Sequence, residues 1–241
     1  MTLSRLLPTP GEVDAVTPEE QSWVIASEFG ICNGWRLNFV TDVNGLYRDK
    51  SGSSDGISNR LDRLLLGKFR SQSDIIVTTG ETARRERLSS SKYAPIAVIT
   101  RSADLDGVPA IQGSQYFTPI ILVPKGLEAI AESKLDDVDV SIVPFDQSQN
   151  PNWPSEVKLV LAQLGFQSPI LEGGPQVSAE FIGQSVIDEI CLTITKKPNE
   201  QFSARQLSVS FLRQLFKIET HFVLDAVFVE SNTLFTRWLR A

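Results

Sequence analysis

The chain has 241 residues, and its 23 Lys and Arg against 29 Asp and Glu leave a formal net charge of −6, with 41 % hydrophobic and 22 % charged residues. This balance is too apolar for a disordered chain and lacks the basic excess of a nucleic-acid-binding domain, and the length suits one large α/β domain. There is no apolar run of about 18 residues and no apolar-centred leader at the start, so a cytoplasmic protein is expected, with neither a membrane nor a nucleic acid as partner.

In chain order, the first strand reads Trp35 to Val40, followed by a polar, turn-rich stretch from Asp42 to Gly56. Residues 1–32 are expected to form an extension packed on a single domain of residues 33–241. Cys32 stands at the junction; like Cys191 it has no ligand-type neighbours, so both are expected to be reduced and packed, with no metal site. Leu61, Leu64, Leu65 and Phe69 recur at helical spacing and predict an amphipathic helix over about Ser58 to Ser71. Short apolar runs at Ile75 to Val77, Ile96 to Ile99, Ile120 to Val123 and Val138 to Val143 read as buried strands. Helical patterns follow at Gly126 to Ser133 and around Val157, Val160, Leu161 and Leu164, the latter stopping at Gly165. Pro169 to Leu171 is a further strand, and the chain then turns at Gly173 and Gly174 into a helix with Pro175 at its first position. The last third reads as strand Glu189 to Thr195, helix Ala204 to Phe216, and strands Phe222 to Glu230 and Leu234 to Leu239. With no helix between them, the last two are expected to form an antiparallel hairpin at the sheet edge. This order predicts an α/β fold: a mostly parallel mixed sheet flanked by helices on both faces.

Chemistry concentrates where apolar strands end. Leu171-Glu172-Gly173-Gly174-Pro175-Gln176 takes a buried strand through a glycine pair into a helix, and a helix amino end offers free N–H groups and partial positive charge to an anion. The alternative is a tight strand-to-helix turn. Thr78-Thr79-Gly80-Glu81-Thr82 also follows a strand, with Arg84, Arg85 and Arg87 behind it, and suits either a cofactor loop or the entry of a solvated basic helix. Thr100-Arg101-Ser102, at a third strand end, could fork onto a phosphate or be plain surface. His221, the single histidine, is far from any Gly-x-Ser-x-Gly pattern, and neither a P-loop nor a metal-ligand cluster occurs. Hydride chemistry with a bound dinucleotide survives these exclusions better than hydrolysis or phosphoryl transfer.

Taken together and in order, these segments resemble the pyrimidine reductase family of riboflavin biosynthesis. Asn38-Phe39-Val40-Thr41-Asp42-Val43-Asn44-Gly45 is similar to the family's Asn-Met-Val-x-Ser-x-Asp-Gly opening. Ser54 to Ser58 with Arg63 and Phe69-Arg70 resembles its Ser-x-x-Ile-Thr segment and the helix ending in Leu-Arg. Ser73 to Arg84, Glu172 to Pro175 and Ile187-Asp188-Glu189 look like its later motifs. Leu6-Leu7-Pro8 and Leu234 to Arg237 look like the stand-alone, actinobacterial-type branch, and no His-x-Glu with Pro-Cys-x-x-Cys of the partner deaminase occurs.

The resemblance implies a dihydrofolate reductase-like fold and NADPH-dependent reduction of 5-amino-6-(5-phosphoribosylamino)uracil to its ribitylamino form, in a homodimer. It implies Glu172 as proton donor or orienter at the reacting centre. Thr79, Gly80, Thr82, Thr100, Arg101, Gly173, Gly174 and Gln176 would hold NADPH, and Asn38, Ser54, Arg63 and Arg70 the phosphorylated substrate. Three departures stand out. The family's turn aspartate is Asn44, which cannot carry a proton near neutral pH, with Asp42 two residues earlier as the remaining acid. Glu81 replaces a glycine beside the cofactor loop. Lys196 to Glu200 replaces a glycine-rich segment. They motivate two alternatives: a nucleotide-binding, reductase-like protein whose activity is lost or changed, and a reductase for a different, pteridine-like substrate.

Overall fold

Alternating apolar runs and amphipathic stretches build one mixed sheet between two helical layers in the computed structural model, which describes residues 2–112, 116–135, 138–148 and 152–241. The elements in chain order are β1 (Leu3–Leu7), β2 (Gly11–Val13), α1 (Pro18–Phe29), β3 (Trp35–Asp42), α2 (Arg60–Ser71), β4 (Ile75–Thr79), α3 (Gly80–Arg85), β5 (Ile96–Ile99), β6 (Ile120–Pro124), α4 (Glu128–Glu132), β7 (Ser141–Phe145), α5 (Trp153–Gln163), β8 (Pro169–Leu171), α6 (Pro175–Gly183), β9 (Ile187–Thr195), α7 (Val209–Phe216), β10 (Phe222–Glu230) and β11 (Thr233–Arg240). The sheet order is β2-β1-β10-β11-β9-β3-β8-β4-β5-β6-β7. From β9 to β7 every pairing is parallel, and from β2 to β9 every pairing is antiparallel.

Side chains alternate across the sheet and fill a core on each face. Trp35, Leu37, Ile75, Val77, Leu171 and Ile190 pack with Trp153 and Val157 of α5, Phe181 of α6 and Phe211 and Leu215 of α7. Ile76, Val98, Ile170 and Cys191 meet Ile25 and Phe29 of α1 and Leu61, Leu65 and Phe69 of α2 on the other face. The spacing of Leu61, Leu65 and Phe69 puts them on one stripe of α2, and each contributes roughly 1.5–3 kcal/mol by leaving water. That helix starts two residues later than its periodicity suggests, because Asn59 Oδ1 accepts from Asp62 N at 2.9 Å and caps it. Both cysteines are free and buried, and burial, with the nearby Glu189 carboxylate, pushes the Cys32 thiol up to about 12.

Three features differ from the sequence expectation. The C-terminal hairpin is antiparallel, but it lies inside the sheet: β10 pairs with β1, so the N-terminal strands form the edge. Thr17 and Glu20 form a reciprocal capping box at the start of α1, a Thr-x-x-Glu signal the periodicity reading passed over. The helix expected over Ala204 to Phe216 is broken at Ser208, whose backbone is extended between a 3-10 turn at Ala204–Leu207 and α7. Gln206 explains the break, since its side chain caps Ser203 and reaches Val43 O at 3.0 Å, holding the turn against β3's end.

Candidate active site

The carboxyl ends of β3, β4, β5 and β8 open into one cleft of about 1180 Å³, walled by the exposed side of α2, by α3 and by the start of α6. Open parallel sheets collect ligands at this end. Of the residues expected to serve a site, Asn38, Ser54, Arg63, Arg70, Thr79, Gly80, Thr82, Thr100, Arg101, Glu172, Gly173, Gly174 and Gln176 all line it. The structure does not bring Asp42 and Asn44 there. Asp42 Oδ1 accepts from the amides of Asn44 and Leu46, both at 2.8 Å, which closes the turn after β3. Asn44 Nδ2 donates to Glu200 Oε1 at 3.1 Å, and Glu200 also accepts from Lys197 N, so the segment that departs from the family pattern is bonded to this turn, outside the cleft lining. His221 is exposed outside the cleft lining.

Glu172 is positioned by β4 from both sides: its amide donates to Val77 O at 2.8 Å, and Thr78 Oγ1 donates to its carbonyl at 2.7 Å. Its carboxylate accepts two bonds from one edge of the Arg70 guanidinium, from Nε at 2.7 Å and from Nη2 at 2.6 Å. Burial by itself pulls the Arg70 pKa down, but the charge and hydrogen bonds of Glu172 outweigh it and hold it above the ordinary arginine value. This two-point contact suits Glu172 to an orienting role, and it occupies the Nε–Nη2 edge of Arg70 while leaving Nη1 unengaged by Glu172. Arg63, about two turns from Arg70 on the same helix, is exposed, lines the cleft and makes no ion pair among the described residues.

The two helix starts differ. At α3, Thr79 Oγ1 accepts from Thr82 N at 3.1 Å and meets Thr82 Oγ1 at 3.0 Å, so the helix caps itself. At α6 the cap is Gly174, with no side-chain cap, and a Cβ there would meet nothing within 4 Å. That leaves first-turn amides facing open cleft, which fits an anionic group such as a dinucleotide's pyrophosphate. Gly173, which also lines the cleft, is required by packing as well, because a Cβ there would lie 2.3 Å from Val177 Cγ1. Glu81 lines the cleft but is largely exposed and pairs with Arg85 at 2.8 Å, a counter-charge on its own helix. Arg101 lies over the buried Trp153 ring at 5.4 Å and is loosely paired with Glu180 at 3.7 Å.

Two wall residues escaped sequence reasoning. Glu86 accepts from Ser54 N and Ser54 Oγ, each at 3.0 Å, and so ties the loop before α2 to the end of α3. Asp62 is buried in the first turn of α2, and Ser58 Oγ donates to its Oδ2 at 2.6 Å. Burial pushes the Asp62 carboxyl above the usual range, against Ser58, Thr193 and Arg63, which draw it down. In the sequence, Asp62 looks like an ordinary first-turn acid, so only its burial could single it out.

A family described as RibD C-terminal domain matches residues 36–197. The chloroplastic riboflavin biosynthesis protein PYRR of Arabidopsis thaliana is 25 % identical over 167 residues, which span 67 % of this chain but 27 % of that protein. A crystal structure of a pyrimidine reductase-like protein from Corynebacterium diphtheriae superposes with a TM-score of 0.66 at 20 % identity, covering 93 % of this chain and 98 % of that one. The riboflavin biosynthesis reductase of Saccharomyces cerevisiae superposes with a TM-score of 0.61 at 10 % identity over 92 % of this chain and 98 % of its own. At such identities the two structures establish a shared fold.

Proposed function

The chain belongs to the RibD C-terminal domain family, and from that premise we propose that it is an NADPH-dependent reductase of 5-amino-6-(5-phosphoribosylamino)uracil, or of a closely related phosphorylated ribosylaminopyrimidine. The observation that carries this reading is the uncapped amino end of α6, opening into the cleft beside the Glu172–Arg70 pair. In this reading the α6 amides with Gly174 and Gln176 receive the pyrophosphate, Thr82 faces the nicotinamide side, and Arg101 with Thr100 receives the 2′-phosphate. Bound there, the dinucleotide supplies hydride. Ser54, Asn38 and Arg63 hold the substrate, Arg63 as the unpaired cation for its phosphate, and Glu172 fixes Arg70 against it. The protein works as a homodimer in the cytoplasm.

The test is calorimetric titration with NADPH, followed by loss of NADPH absorbance when the ribosylaminouracil phosphate is added. Absence of heat overturns the dinucleotide reading. Binding without turnover favours the second reading, a reductase-like protein that holds a nucleotide without reducing this substrate, which the engagement of Asn44 with Glu200 outside the cleft supports.

A further inference from the structure

A reduction consumes one proton for every hydride, so the cleft needs a group that arrives protonated. Seven carboxyls line it. Four are matched to arginines: Glu81 to Arg85, Asp104 to Arg84, Glu172 to Arg70 and Glu180 to Arg101. Glu86 is spent on Ser54, and Asp55 is exposed. Asp62 alone is buried, at 6 % exposure, with hydroxyl partners in place of a cation.

We infer that Asp62 is the proton reservoir of this cleft, passing its proton through Ser58 Oγ to the reduced ligand; the inference rests on the reductase reading above. Ser58 is half-buried, lines the cleft and lies 2.6 Å from Asp62 Oδ2, so it spans the carboxyl and the ligand space. The charged neighbour acting on Asp62 among the described residues is Arg63 of its own helix. Arg60 is turned to Glu19 of α1 at 2.6 Å. β9 faces it with the Thr193 hydroxyl, and β11 reaches the neighbouring Asn59 through Thr233 at 2.6 Å. Burial favours the protonated form, while the amino end of a twelve-residue helix eases the carboxylate left behind, so both states are accessible.

The step balances. As the ligand's C=N carbon takes up hydride, its π pair moves to nitrogen. Nitrogen takes the Ser58 proton while Ser58 takes that of Asp62. A secondary amine and the Asp62 carboxylate result, and water returns the proton. Asp62 acts through Ser58 and is therefore a positioning and reservoir group.

The experiment uses Asp62→Asn and Ser58→Ala in the full chain. Wild-type kcat is expected to fall as pH rises through the Asp62 titration. Asp62→Asn loses that limb and about 10²–10⁴ in kcat, with KM little changed, and Ser58→Ala also lowers kcat at constant KM. Thermal unfolding reads the same proton without turnover. A carboxyl raised on folding contributes its full stability below the ordinary value of about 4 and loses it as pH rises through the folded value. Asp62→Asn should therefore gain in Tm relative to wild type as pH is raised from about 4 toward neutrality. A variant that keeps wild-type kcat and its pH limb overturns the inference and leaves the reductase reading standing. A Tm difference equal at every pH, with kcat and KM moving together, reduces Asp62 to a helix cap and also overturns it. If wild type reduces none of the ribosylaminopyrimidines, the reductase reading fails and takes this inference with it.

Discussion

Two Arg–Glu pairs in this molecule are alike in chemistry and opposite in setting. Arg36 and Glu189, on neighbouring strands β3 and β9, are 1 % and 2 % exposed, whereas Arg70 and Glu172 are 20 % and 12 % exposed at the cleft. The sealed pair is surrounded by matched partners. Arg36 also donates to Gly30 O and Gln72 Oε1 and stacks over Phe69, while Glu189 accepts from Arg237, which in turn holds Asp225. Nothing a ligand could reach is left in that network, so its work is to join the antiparallel and parallel halves of the sheet. The cleft pair is joined by two hydrogen bonds where the sealed pair has one, and it faces ligand space, so its geometry can be transmitted to whatever binds there. Solvent access, more than residue identity, separates a structural pair from a functional one.

The sharpest way to break this contrast is Glu189→Ala, which strands Arg36 without a counter-charge. Unfolding by denaturant should report a loss of about 3–5 kcal/mol; a loss below about 1 kcal/mol, the scale of a surface pair, would erase the distinction. Next comes Glu172→Gln, which keeps the shape but frees Arg70 to move. We expect kcat/KM to fall about 10²-fold, because a misplaced positioning group costs that much, with a far smaller change in Tm than Glu189→Ala produces. Wild-type kinetics would make the cleft pair as purely structural as the sealed one. The smallest effect is expected at Asn44→Asp, which restores the family's acid but sets it against Glu200. Exposed like charges cost a few tenths of a kcal/mol, so Tm should drop slightly, recover in the double variant with Glu200→Gln, and bring no gain in turnover. A rise in turnover would return Asn44 to the active centre.

Much of the cleft was readable in advance, because strand ends, glycine turns and arginine spacing are local. Ser54, Arg63, Thr79, Arg101 and Glu172 all reach it. What escaped reading depends on distant partners. Arg70 reads as a cleft cation, but its bond to Glu172, 102 residues away, is not visible in the sequence. Asn44 looked like a damaged catalytic position until Glu200, 156 residues on, claimed its amide. Gly173 reads as a ligand contact, and only the structure shows that Val177 packing requires a glycine there too.

By itself the sequence determined most strands and helices from Trp35 onward and that parallel strand ends would gather the polar residues, since periodicity and turn chemistry act within a few residues, while β1, β2 and α1 were not read. The tertiary structure alone decided that β1 and β2 close the sheet edge, that Ser208 interrupts a helical pattern, and which carboxyls are matched by arginines. The physical reason is that strand order and side-chain pairing join residues far apart in the chain, and desolvation, which sorts Asp62 from its six fellow carboxyls, exists only once the surrounding walls are in place.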